Sequence, residues 1–340
     1  MTLVSGDYIG VNGVARKAKK MYVGVNGVAR KVKKMYVGVN GVARQCWPEA
    51  TTPWTAITLP GSYEWGNVCY GNNKFVAVAN MGNDEYAGMA IYSTDGISWA
   101  KGNIPKGGSF VSVCYGGGKF VTMEFYGDGL AYSADGVNWT KTTGIWVNNG
   151  VALCYGNNRF VGVYSNSNQA CYSTDGINWN VSGWDSTWGD VSFCKTVCYG
   201  GGKFVSLSNG SNAAIYSFDG ITWYKTTLPA SADWQSVCYG GGKFVAVAES
   251  SDIAVYSTDG INWYKATLPA SADWQSVCYG GGKFVAVAYD SRTIAYSTNG
   301  IDWTKSVSPV GHGTRSVCYG SNKFVTLSYS DGAYCYSNQL

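Results

Sequence analysis

The side chains equipped to engage a ligand lie in segments that differ between copies of an internal repeat: Tyr86, Tyr126, Trp146, Trp184, Asp185, Trp188, Tyr289, Arg292, His312 and Arg315. Aromatic rings beside carboxylates, amides and guanidinium groups suit stacking on sugar rings while hydrogen-bonding their hydroxyls, and they suit protein interfaces as well. Trp65, Phe110, Trp234 and Trp274 each stand four residues before a repeated cysteine, so for these the alternative is plain packing inside the fold. Catalytic chemistry finds less support. His312 stands between Gly311 and Gly313 without a serine nucleophile motif, and the cysteines recur singly rather than as the close CxxC pairs of zinc sites. The sequence thus predicts no catalytic residue, no bound metal and no cofactor. Carboxylate pairs such as Asp84/Glu85 and Asp185/Asp190 keep glycoside hydrolysis as an alternative, because two acids flanking the glycosidic bond are its requirement.

What must position these residues is a unit that recurs seven times, marked by Cys69, Cys114, Cys154, Cys198, Cys238, Cys278 and Cys318 at spacings of 45, 40, 44, 40, 40 and 40 residues. A period of about 40 signals a propeller or a solenoid. Each unit reads as four strands: Ser-Val-Cys-Tyr (a), Phe-Val-Ala-Val-Ala (b) after a tight Gly-Gly or Asn-Asn turn, Ile-Ala-Tyr-Ser (c), and a strand d that opens at a tryptophan. The expected fold class is all-β, a seven-bladed β-propeller of four-stranded blades over residues 48–340. The seventh unit reaches strand c without a strand d of its own, and Trp54-Thr-Ala-Ile-Thr-Leu-Pro60 matches the missing element. Blade seven is therefore expected to be completed by the N-terminal strand that opens at Trp54, which removes the free sheet edge.

In an antiparallel blade the a–b and c–d turns share one face, and the b–c and d–a connections share the other. The first set barely changes between units and the second varies, so recognition is expected on the variable face. The c–d turn Ser93-Thr-Asp-Gly-Ile-Ser-Trp99 recurs with Asp95, Asp135, Asp175, Asp219 and Asp259, and with Trp99, Trp139, Trp179, Trp223, Trp263 and Trp303; Asn299 replaces the acid in the sixth copy. The series resembles the Asp-box of sialidase-like propellers, with one residue fewer between Asp and Gly. That resemblance implies a structural turn whose Asp binds nearby backbone and whose aromatic packs in the blade, and the residue chemistry agrees. Sialidase-like enzymes also hold a carboxylate with three arginines. Here Arg159 belongs to a turn, which leaves Arg292 and Arg315 on the variable face, so the triad is not assembled. The turn face also carries one cation per unit, from Lys74 to Lys323, expected to be neutralised by the turn aspartates.

Residues 1–47 have a different character, with nine Lys/Arg against Asp7, a net +8 that leaves −4 on the rest of a chain of formal charge +4. Tyr8-Ile-Gly-Val-Asn-Gly-Val-Ala-Arg-Lys17 and its copies from Tyr22 and Tyr36 repeat every 14 residues. Asn-Gly between valines is a hairpin signal, because a type I′ turn needs positive φ at both central positions. Two-stranded hairpins are marginal alone. This basic arm is therefore expected to anchor or oligomerise the protein, on its own copies in a homo-oligomer or on a partner, with nucleic acid the less favoured use of its charge. The pattern resembles N-terminal segments of tail-associated proteins from phages and prophages of Gram-positive bacteria. The resemblance implies a virion or tail-like particle component assembled in the bacterial cytoplasm, which fits the expected free thiols and the lack of a signal-like or membrane-length apolar run. The expected function is non-enzymatic receptor binding, in which the arm contacts other particle proteins and the variable face binds a host-surface glycan or protein. A purely structural particle role and a cell-surface polysaccharide glycosidase are the alternatives.

Overall fold

The computed structural model divides the chain into two compact units, Met1–Thr52 and Pro53–Leu340, a boundary a few residues beyond the one expected at 47/48. It describes strand backbone within residues 3–47, and residues 53–337 except 60–62, 80–88, 106–107, 128, 143–146, 166, 192, 290, 311–312 and 329–332; side chains are described within 53–337, those of 126–127, 147–148 and 333 excepted.

The first unit holds three hairpins, Tyr8–Val11 with Val14–Lys17, Tyr22–Val25 with Val28–Lys31, and Met35–Val39 with Val42–Trp47. Val11 pairs with Val14, Val25 with Val28 and Val39 with Val42, the register that a two-residue Asn-Gly connection requires. The hairpins form separate sheets rather than one meander, and Leu3–Val4 adds a strand to the first.

The second unit is a ring of antiparallel blades. Blade 1 comprises strands a (Trp65–Gly71), b (Lys74–Ala79), c (Ala90–Ser93) and d (Ala100–Lys101), paired in that order. The inner strands a of blades 2, 3, 4, 6 and 7 are Phe110–Gly116, Gly150–Gly156, Cys194–Gly200, Trp274–Gly280 and Thr314–Gly320. Tyr224–Gly240 serves as strand d of blade 4 and then as strand a of blade 5, which joins those two blades in one seven-stranded sheet. Blade 7 is completed by Thr55–Thr58, which pairs with Ala333–Ser337 and sets Ala56 opposite Cys335. The expected closure is therefore present, with Trp54 buried just ahead of that strand.

Strand b is apolar on both faces because a neighbouring blade covers each side. In blade 1, Trp65, Val68, Phe75, Ala77 and Ile91 pack towards blade 7, while Val76, Val78 and Ala90 pack towards blade 2. Two contacts fix the separation of the inner strands. Each strand a ends in a glycine whose backbone lies under the tyrosine of the next blade: a Cβ on Gly200 would sit 1.9 Å from the Tyr239 ring, and one on Gly320 would sit 2.1 Å from the Tyr70 ring, which closes the circle. A hydroxyl then bridges one inner strand to the next. Ser112 Oγ accepts the Leu153 N–H at 3.0 Å, Thr196 Oγ1 that of Val237 at 2.9 Å, Ser236 Oγ that of Val277 at 3.1 Å, and Ser276 and Ser316 continue the series to Val317 and Val68, each at 3.2 Å. Two junctions lack the hydroxyl: Asn67 stands at this position between blades 1 and 2, and Ala152 between blades 3 and 4.

The ten described cysteines are free thiols. Burial pushes Cys318 up to about 12, and for Cys69 the neighbouring Cys318 and Cys114 add to the effect of burial.

The c–d turns are self-contained hydrogen-bond units. Asp175 Oδ1 accepts the N–H groups of Ile177 and Asn178 at 2.8 Å each, and Ser173 Oγ accepts the Gly176 N–H at 2.8 Å while donating to Asp175 Oδ1 at 2.9 Å. Burial alone would raise this carboxyl, but the backbone N–H groups of Asn178 and Ile177, with the Asn178 and Ser173 side chains, hold it well below the usual range. Asp95, Asp135, Asp219 and Asp259 are depressed in the same way. In the sixth copy the roles are exchanged: Asn299 Oδ1 accepts the backbone bonds and its Nδ2 donates to Asp302 Oδ2 at 2.8 Å, where elsewhere Asn178 Nδ2 donates to Asp175 Oδ2 at the same distance.

Two predictions follow from these contacts. Ala152→Ser supplies the missing acceptor for Val197 N–H and is expected to stabilise the ring by about 1 kcal/mol, whereas Ser236→Ala costs about the same, both read from urea unfolding. The turn carboxylates have depressed folded pKa values, so their stabilisation is complete above the unfolded value of about 4 and is lost as pH falls through the folded values. Melting temperature should therefore decline as pH drops below about 4. Asp175→Asn should reduce that decline at a stability cost of about 1 kcal/mol, and the exchanged pair Asp175→Asn/Asn178→Asp should recover the loss at neutral pH.

Candidate functional site

Every inner strand carries a β-bulge at the same place, seen as a register shift against strand b between Phe110 and Ser112, Gly150 and Ala152, Cys194 and Thr196, Trp234 and Ser236, Trp274 and Ser276, Thr314 and Ser316, and at the matching step in blade 1. A bulge leaves one residue out of the ladder and re-aims its side chain. The bulged residues are Gly66, Val111, Val151, Lys195, Gln235, Gln275 and Arg315, and all seven line one cavity of about 490 Å³ at the mouth of the ring's central channel. Phe125 and Ser165, which follow strands b of blades 2 and 3, also line it, so the mouth opens on the variable face. The residue before each bulge is a wall of the fold: Trp65, Phe110, Trp234 and Trp274 are fully buried, which settles these four as packing residues.

Polar and apolar bulge residues occupy separate arcs. Blades 4 to 7 contribute Lys195, Gln235, Gln275 and Arg315, while blades 1 to 3 contribute Gly66, Val111 and Val151. Glu249 Oε2 accepts the Gln235 Nε2–H at 2.6 Å, and Gln235 Oε1 faces Lys195 Nζ at 3.5 Å, so the glutamine is held with its carbonyl towards the lysine.

Of the residues expected to recognise a ligand, Arg315 lines this cavity. Trp184 does not serve that role: it is 8% exposed, packs edge-on against Trp223 with ring centroids 5.9 Å apart, and donates its indole N–H to Val191 O at 3.2 Å. It fills the space between blades 3 and 4, where Trp188 packs half-buried on the same cluster. Asp185 is exposed and caps the turn at Thr187, accepting its N–H at 2.9 Å and its hydroxyl at 2.7 Å. Those bonds lower its carboxyl below the usual range, the opposite of what a general acid needs. Asp190, its companion in the sequence, is bound to Lys225 Nζ at 2.6 Å. Tyr289 and Arg292 are exposed on the b–c loop of blade 6, where Arg292 Nε donates to Ser308 O at 2.7 Å. Tyr126 lies in a two-residue strand that pairs with Val147–Asn148. Tyr86, Trp146 and His312, and the side chain of Tyr126, lie outside the described residues.

On the opposite face, the turn tryptophans Trp139, Trp179, Trp223 and Trp263 are buried, and Trp99 and Trp303 are half-buried. The ring of cations does not pair with carboxylates as expected. Lys74 Nζ donates instead to the backbone O of Asp135 at 2.8 Å and Lys243 Nζ to that of Asn299 at 2.9 Å, because the turn carboxylates are already occupied by their own turns. On blade 4 of this face Tyr216, Phe218 and Tyr224 cluster, with Lys203 Nζ 5.2 Å from the Phe218 ring centre.

Lys195, Gln235 and Gln275 were not singled out by the sequence reading, although a signal was present. Three residues before each repeated cysteine is the position of the inner strand at which charge changes from unit to unit. Among the described residues no cluster of three or more potential metal ligands occurs, and no helix is long and apolar enough to cross a membrane.

A closed ring of four-stranded antiparallel blades around a channel, with a cavity at one mouth, defines a β-propeller. Residues 173–323 match the family model described as the DUF6242 beta propeller domain. Among solved structures, a virginiamycin B lyase from Staphylococcus aureus is similar with a TM-score of 0.73 at 10% identity, over 84% of this chain and 98% of that one. YCF48 from Cyanidioschyzon merolae is similar with a TM-score of 0.63 at 15% identity, over 84% and 98%, and YCF48 bound to a D1 peptide with 0.66 at 13%, over 86% and 96%. At these identities the likeness carries the fold alone, and none of the three is a sialidase. No curated protein matches significantly.

The fully exchanged mouth provides a direct check on the cavity assignment. Gln275→Trp, which places a large ring in the cavity, is expected to leave the melting temperature within about 2 °C of the parent, because the bulged Gln275 lines the cavity and is not part of the core clusters. Ala286→Trp, in the buried strand b of blade 6, is expected to prevent folding, as judged by near-UV circular dichroism.

Proposed function

We propose that the protein is a non-enzymatic receptor-binding component of a phage tail or tail-like particle. The hairpin arm attaches it to other particle proteins or to its own copies, and the variable face binds a glycan on the host surface. One observation carries this reading: the inner-strand position whose charge changes from blade to blade is the one that converges on a cavity at the variable-face mouth. A ring whose scaffold positions repeat while its mouth residues diverge is arranged for recognition. The sequence of the arm supports the particle assignment through its likeness to tail-associated proteins, and the free thiols fit assembly in a bacterial cytoplasm.

The test is binding of the full chain to Gram-positive cells and to an array of their surface polysaccharides. Gln235→Ala/Gln275→Ala removes two amides from the mouth and is expected to weaken attachment about tenfold, while Thr258→Ala on the turn face leaves it unchanged. Equal binding by the mouth variant would overturn the site, and a lack of binding to any cell or polysaccharide would favour a purely structural role. Release of sugar from a bound polysaccharide would overturn the non-enzymatic reading.

A further inference from the structure

Phe193 is 49% exposed, although its backbone is held on both sides: it forms an antiparallel bridge with Ser165, and its carbonyl accepts the Asn209 N–H at 2.8 Å. Ser165 lines the cavity at the mouth, and so does Lys195, two residues further along the chain. Phe193 therefore stands at the rim of the cavity. The scaffold does not require an aromatic there. The position five residues before the repeated cysteine holds Glu64, Ser109, Asn149, Asp233, Asp273 and Gly313 in the other blades. Beside Phe193 the charge is balanced. Gln235 Oε1 faces Lys195 Nζ at 3.5 Å and its Nε2 donates to Glu249 Oε2 at 2.6 Å, so a cation, an amide and a carboxylate form one chain of alternating donors and acceptors. Asp233 stands opposite Glu249 in the strand pairing, Asp273 accepts the Ser250 N–H and hydroxyl, and Arg315 on blade 7 has a partner of its own.

We infer that this part of the rim binds a neutral saccharide: the apolar face of one sugar ring stacks on Phe193, and its hydroxyls meet the chain formed by Lys195, Gln235 and Glu249. A hydroxyl both donates and accepts, so it can bond the lysine or the amide on one side and the carboxylate on the other without bringing a charge into the site. An anionic sugar meets the carboxylates of Glu249 and Asp233, and a cationic one meets Lys195, so each loses part of what the neutral sugar gains. The phenyl ring supplies the flat apolar surface that the polar chain lacks. The inference deepens the glycan-binding reading and rests on it for the biological source of the sugar.

The experiment is titration calorimetry on the full chain with cellotetraose and chitotetraose as neutral probes, an oligogalacturonate as the anionic one and the chitosan tetramer as the cationic one. At least one neutral probe is expected to bind about tenfold more tightly than either charged probe. Its affinity should change by less than about twofold between about 50 mM and about 500 mM salt. Phe193→Ser should weaken the neutral probe about tenfold, and serine already occupies this position in blade 2, so the variant keeps the fold. Phe218→Thr, which removes an exposed ring from the turn face, should leave binding unchanged. Glu249→Gln keeps an acceptor for the Gln235 amide, so it should retain the neutral probe within about twofold and bring the anionic probe closer to it. Failure of both neutral probes to bind, tighter binding by a charged one, or undiminished neutral binding by Phe193→Ser overturns the inference. Neutral binding by a chain that ignores host cells supports this site and removes the receptor reading. Cell attachment by a chain that binds no neutral probe does the reverse.

Discussion

The ring depends on how closely a tyrosine can lie on the backbone of the blade before it. A glycine at the end of each inner strand leaves no side chain in the way, and the ring of Tyr239 on Gly200, repeated to Tyr70 on Gly320, sets the distance between neighbouring inner strands. At that distance a serine or threonine hydroxyl is long enough to reach the next strand's N–H, so an edge that would otherwise lack a partner is bonded from the side. Any side chain larger than hydrogen at the glycine would push the strands apart and break both contacts together. The Tyr-Gly pair and the serine or threonine three residues ahead of the tyrosine are therefore parts of one device.

The same strand solves a second problem. Its outer part must pair with strand b and its first residues must turn towards the loops, and the bulge makes that change of direction in one step. The bulged residue takes no part in the ladder, and in blades 4 to 7 its side chain lines the cavity, so it is free to differ there. Glycine, valine, glutamine, lysine and arginine all stand there. The scaffold thus separates what must stay constant from what is free to change, and it does so within consecutive residues: Trp234 is fully buried, Gln235 lines the cavity, and Ser236 bridges to blade 6.

The fold was legible in the sequence because each unit repeats the same apolar alternation, and Trp54-Thr-Ala-Ile-Thr repeats the missing strand. The exception at Asn299 was visible as an oddity, but its compensation by Asp302 emerged only from the exchanged hydrogen bond. The site was less legible, for physical reasons. A bulge arises from the mismatch of two strands, so no single strand announces it. The burial of Trp184 depends on how its loop folds back onto Trp223, which the lack of a repeat counterpart could not foretell. The turn cations were expected to seek carboxylates, yet those oxygens were already claimed by backbone N–H groups two and three residues away.

Blades 4 and 5 share the seventeen-residue strand Tyr224–Gly240, whereas the other blades are separate four-stranded sheets. In mechanical terms the ring is not a chain of equal links, because one pair of neighbours is spliced by an unbroken beam. Lys195 and Gln235 both stand on this continuous sheet, so its hydrogen-bond ladder ties the positions of these two mouth residues to one another.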